Sequence, residues 1–188
     1  MANKNTKGFG LIPGDRLGNT PAISGQSKYF IDAGTAGAIY NGGAVKSAAG
    51  YIVEGQGSAA PVVGVLNGVF YNAATTLKPT WANYYAGSIT PANSEDITAF
   101  VNDDPFQNYI VATDDAAAQA LFLETFDMNA SAGDTNTGKS TATLDIGTTG
   151  ADNKQYRLLR SAEDPENDDA TAAYRSVIVV ANLLELQS

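Results

Sequence analysis

Between Ser27 and Tyr71 the chain is a succession of short β-like runs cut apart by glycine-rich turns, and that alternation constrains the fold more than any other feature. SKYFI (27–31), AIY (38–40), GAVKS (43–47), YIVE (51–54) and VVGVLNGVFY (62–71) follow one another. Runs of this length and composition read as strands. Asn41-Gly42-Gly43 is a hairpin signal, because Asn and Gly tolerate positive φ. In the last run Gly64 and Gly68 share a phase with Val62, Leu66 and Phe70. Glycines at strand-interior positions predict a bulge or a close backbone approach, as at a barrel corner.

Further strands are expected at ITAFV (97–101) and NYIVA (108–112), split by the turn Asp103-Asp104-Pro105. STATLDI (140–146), QYRLLR (155–160) and YRSVIVVANLLEL (174–186) follow, with the acidic loop EDPENDDA (163–170) before the last. One helix is expected, DDAAAQALFLETF (114–126), capped by Thr113 or Asp114, with Ala117, Ala120, Leu121 and Glu124 at helical spacing. The first 26 residues carry neither period. They hold Lys4, Lys7 and Arg16 against Asp15 alone, and read as a tail or an extended arm. Phe9, Leu11 and Ile12 favour an arm that docks on something. The expected fold is mainly β: a single β-barrel or β-sandwich-like domain over 27–188, one short helix, and an extended N-terminal arm over 1–26.

Residues 133–140, GDTNTGKS, satisfy the phosphate-loop pattern G-x-x-x-x-G-K-[ST] letter for letter. That pattern carries chemistry only between a buried strand and a helix whose N-terminal amides face the phosphates. TFDMNASA (125–132) is no buried strand. After Ser140, Ala142, Leu144 and Ile146 alternate with Thr141, Thr143 and Asp145, which is strand phasing. Asp134 would put a carboxylate inside the anion cradle, and VIVV (177–180) is followed by Ala181 rather than a metal-binding Asp. These residues are turn formers leading into a hairpin strand.

Other chemistry is narrowed by what the chain lacks. It has no Cys and no His, so Ser-His-Asp and Cys-His mechanisms are excluded, along with disulfides and the commonest metal ligands. Acid pairs occur at Glu95-Asp96, Asp103-Asp104, Asp114-Asp115, Glu163-Asp164 and Asp168-Asp169. Adjacent strand residues point to opposite faces, so such pairs seldom make one site. Asp103-Asp104 reads as turn chemistry and Asp114-Asp115 as a helix cap. The nearest approach to a cation loop is EDPENDD, without the alternation a calcium loop needs. The expectation is no enzyme, no catalytic residue, no metal and no cofactor. With 20 Asp and Glu against 11 Lys and Arg, the formal charge of -9 argues against nucleic acid as a partner. No apolar run suits a signal peptide or a bilayer span, which predicts a soluble, cytoplasmically made product. Trp81, Tyr84 and Tyr85, in KPTWANYYAGSITP (78–91), form an aromatic cluster. It caps a small β core, fills a subunit contact or binds a ligand.

Taken in order, GFGLIP near the start, GQSKYFI (25–31), AIYNGGAV (38–45), VVGVLNGVFY (62–71), KPTWANYY (78–85), VNDDPFQNYIV (101–111), GDTNTGKSTATLDI (133–146) and VIVVANLLE (177–185) resemble the capsid decoration, or cement, proteins of tailed phages. The apolar ending LLELQS departs from that pattern. The resemblance implies a β subunit on the outside of an icosahedral head, assembled in the host cytoplasm. Its implied partners are the major capsid protein and further copies of itself, most often as a trimer. On this reading Phe9, Leu11 and Ile12 bury against capsid subunits, Arg16 pairs with their carboxylates, and the acidic body faces solvent. The competing expectation is a carbohydrate- or receptor-binding fibre or appendage module that uses the 81–85 aromatics as a sugar platform.

Overall fold

The computed structural model describes residues 2–18, 25–57, 59–130, 133–150 and 153–187. Sheet I is antiparallel, in the order β1 (Ile12–Arg16), β8 (Gln107–Ala112), β14 (Ser176–Ala181), β13 (Tyr156–Ser161), β9 (Thr125–Met128) and β12 (Leu144–Gly150). Sheet II runs β2 (Ser27–Ile31), β7 (Ile97–Asn102), β5 (Gly64–Asn72), β3 (Ala44–Ala48) and β4 (Tyr51–Glu54). The start of β5 pairs with β3 and its end with β6 (Pro79–Ala82). A small hairpin, β10 (Gly133–Asp134) with β11 (Lys139–Ser140), stands apart. Of the two expected architectures the sandwich-like one fits. Sheet II curls until β2 and β4 touch, but neither sheet closes into a barrel.

Alternation along the strands builds two cores. Sheet I turns Tyr109, Val111, Phe126, Tyr156, Leu158 and Val179 inward, onto Ala44, Val62 and Val65 of the second layer. Sheet II gathers Ile31, Ile52, Val69, Tyr85, Ile97 and Val101 around its own axis. Strand β5 serves both, sending Val65 to the first core and Leu66 and Val69 to the second. Its register on β7 shifts between Leu66 and Gly68, the bulge expected from its glycines. At Gly64 a Cβ would lie 2.2 Å from the Asn102 carbonyl oxygen, so the backbones meet there too closely for any side chain.

Two expectations are corrected. The stretch 114–126 is not a helix: it holds only a 3-10 turn at Gln119–Leu121 and then enters β9. A helix this short is marginal without packing, and here tertiary partners capture its groups. Asp114 accepts from the Ile146 amide at 2.9 Å and from Asn129 at 3.0 Å instead of capping. Arg175 donates to the Ala117 carbonyl at 2.6 Å, and Leu123 turns with φ 72°. The second correction concerns residues 1–26. Their described part, 2–18, carries β1 over Ile12–Arg16 and packs on the body. Gly10 donates to Ala142 and Leu11 to Gly42 through backbone amides, and β1 completes the edge of sheet I. Residues 19–24 of that arm lie outside the described residues.

Candidate adhesion surfaces

The phosphate-loop lookalike folds as the β10–β11 hairpin. Gly138 (φ 70°) donates to the Asp134 carbonyl at 2.7 Å, and Asp134 Oδ1 accepts from the Asn136 amide at 2.9 Å. No helix follows Lys139, so no fan of free amides faces an anion. The Asp134 carboxylate, held below the usual range chiefly by that Asn136 amide, occupies the turn instead.

The acid pairs are absorbed in the same way. Asp104 caps its turn through the Phe106 amide at 2.9 Å, and Asp103 accepts from the Tyr29 hydroxyl at 2.8 Å. Within EDPENDD, Asp164 accepts from Asn167 at 2.7 Å, and Asp168 takes the Arg175 guanidinium at 2.7 Å together with the Ser161 hydroxyl. The same loop clamps the N-terminus. Asn3 donates to the carbonyls of Asp169, Ala172 and Ala173, the Asn5 amide donates to Asn167, and Lys4 pairs with Glu166. Among the described residues no group of three Asp or Glu stands close enough to hold a metal ion.

The four arm residues separate. Leu11 is 1 % exposed in the body's own core, so its expected burial against a capsid subunit is corrected. Arg16 Nε lies 2.7 Å from Asp104 Oδ2, so its carboxylate partner is in the same chain. Phe9 is half-buried beside Lys7 and Ser140. Ile12 alone is presented outward, 46 % exposed. It begins a row across the outer face of sheet I, Ile12 beside Ile110, Ile178 and Arg160 on successive strands. Gly14, Asp15, Asn108 and three members of this row line a groove of about 270 Å³.

The three aromatics also part company. Tyr85 is fully buried, with its hydroxyl donating to the Thr35 carbonyl at 2.6 Å. Tyr84 stacks on Tyr40 with centroids 5.3 Å apart and planes within 3°. Trp81 is 53 % exposed and joins residues that sequence reasoning passed over. Register places Phe30, Thr98, Phe70 and Trp81 side by side on β2, β7, β5 and β6. Phe30 is 49 % and Phe70 39 % exposed. A signal was present in the sequence: Phe30 shares strand phase with Lys28, on the polar side of SKYFI, where a large aromatic has no core to fill.

No family model matches this chain, and neither a curated protein nor a solved structure matches it. The two outward-facing rows, one on each sheet, are therefore the ground for a functional reading.

Proposed function

We propose that the protein is a virion structural protein, a decoration or cement subunit that binds the outside of an icosahedral phage head and braces capsomer contacts by adhesion alone. The observation that carries this reading is the outer face of sheet I. There Ile12, exposed, and Ile110 and Ile178, half-buried, form an apolar row that ends in the exposed cation Arg160. Support also comes from the ordered sequence resemblance described above, and from a body whose acidic pairs are engaged in turns and clamps.

The partner on this reading is the major capsid protein, with further copies of the chain completing a trimer. Each aliphatic side chain contributes about 1.5–3 kcal/mol when fully buried. A few such contacts, repeated at every copy on a shell, sum to substantial resistance against internal pressure. Arg160 supplies a complement to capsid carboxylates. The remaining acidic surface faces solvent and keeps virions apart in suspension.

The test is to add the purified protein to heads that lack it and measure bound copies and thermal resistance. Saturable binding and a rise in the temperature of head disruption are expected. Ile12→Asp, at an exposed position, is expected to remain folded and to lose occupancy. Wild-type occupancy by the variant would contradict the docking face, and no binding by either protein would contradict the function.

A further inference from the structure

A second row of apolar side chains stands on sheet II, and it differs in kind from the isoleucine row. Trp81 does not stand off the sheet. A Cβ at Gly68 would lie 2.4 Å from its Cζ2 and 2.7 Å from its Cη2, so the indole reaches across the strand gap and rests on the glycine. One side of the ring system is thereby supported and the residue stays half exposed. Phe100 braces it at 5.2 Å between centroids, tilted by 53°, and the Lys28 ammonium lies 6.0 Å from the Phe100 centroid. Phe70 is the cross-strand neighbour of Trp81, and Phe30 lies two strands further on, with the Thr98 hydroxyl between. At about 4.8 Å per strand, the backbone positions of the three residues span on the order of 15 Å, and the indole leans from its end of that row toward Gly68.

Three kinds of ligand use exposed aromatic rows. Single-stranded nucleic acid stacks its bases on such rings, but it also needs a basic track, and this chain carries a formal charge of -9. Protein partners concentrate their binding energy in desolvated pockets filled by interdigitating side chains. Here the Trp81 indole instead rests on the open sheet, braced by Phe100, and is 53 % exposed. A sugar chain is the remaining class. The C–H face of a pyranose packs on an aromatic face, successive sugars repeat at close to the strand spacing, and the hydroxyl edges need only scattered polar partners such as Thr98 and Lys28.

We infer that the Phe30–Phe70–Trp81 row is a platform for a neutral, β-linked glycan chain lying across the strands of sheet II. The four positions of the row, Phe30, Thr98, Phe70 and Trp81, carry no ionised side chain, and the neighbouring cation, Lys28, lies over the Phe100 ring. The contact surface itself therefore favours an uncharged ligand. This inference rests on residues and a sheet separate from those of the shell-docking reading, and either can fail alone.

Trp81 is the only tryptophan in the chain, so its emission reports on this site directly. The isolated full-length protein would be titrated with cellohexaose and with chitohexaose, using heparin as the charged comparison. A saturable change in emission is expected with at least one neutral oligosaccharide and none with heparin. Phe70→Ala keeps the reporter and is expected to weaken binding roughly tenfold, about one ring contact. Trp81→Ala, followed by calorimetry, is expected to abolish binding in a protein that still unfolds cooperatively, with a modestly lowered melting temperature from the lost packing on Gly68 and Phe100. Three results would overturn the inference: no change with either neutral sugar at millimolar concentration, an equal response to heparin, or self-association lost in Trp81→Ala with no response to sugar.

Discussion

Asp168 shows how this chain uses its acids. Its carboxylate takes the Ser161 hydroxyl and the guanidinium of Arg175, which is 7 % exposed and also donates to Ala117. Those contacts, Ser161 first and Arg175 second, hold the Asp168 carboxyl below its ordinary value of 3.8. A depressed folded-state pKa stabilises the fold above the unfolded value, and that contribution drains away as acid protonates the folded carboxylate. The side chain is 39 % exposed, so solvent screening keeps the effect modest. Melting curves of wild type and Asp168→Asn should therefore differ at pH 6 and converge as pH falls below about 3.8. A gap that is constant from pH 6 to pH 2 would mean that ionisation of Asp168 is not what holds this loop.

The N-terminal strap is the element whose role changes most between sequence and structure. Its Gly8 fits where a Cβ would meet the Thr141 carbonyl at 2.2 Å, its Leu11 fills the first core, and its β1 closes the edge of sheet I. Loss of a buried leucine alone costs about 2–5 kcal/mol. Deleting residues 2–16 is therefore expected to lower the melting temperature sharply and to expose the body to proteolysis. A truncated protein that melts like the full chain would show the strap to be dispensable. The strap's destination was not readable in the sequence, because apolar residues in a basic arm fit a partner's surface and the chain's own groove equally well. Strands with clean alternation were legible: SKYFI and YIVE coincide with β2 and β4, and the paired glycines marked the β5 bulge. The 114–126 stretch was not, since alanine spacing carries no trace of the distant Arg175, Ile146 and Asn129 that unwind it. Of the candidate contact residues, only Ile12 and Trp81 proved both sequence-visible and well exposed. Their neighbours on each row come from other strands, and only register brings them together.

On the scale of the whole molecule, two sheets present two unlike faces around an acidic body. The isoleucine row on sheet I is aliphatic and ends in Arg160, whereas the row on sheet II is aromatic and uncharged. A subunit that adheres to a shell with the first would leave the second free for solvent-side ligands. Cation-led contacts weaken with salt while apolar burial does not, so docking through sheet I should persist at high ionic strength with slower association. The most direct test of shell adhesion is an electron cryomicroscopy reconstruction of heads saturated with the protein. The account predicts added density at ordered positions on the outer surface, with Ile12, Ile110 and Ile178 against capsid subunits. Bare heads at saturating concentration, or ordered density with sheet I turned to solvent, would contradict it.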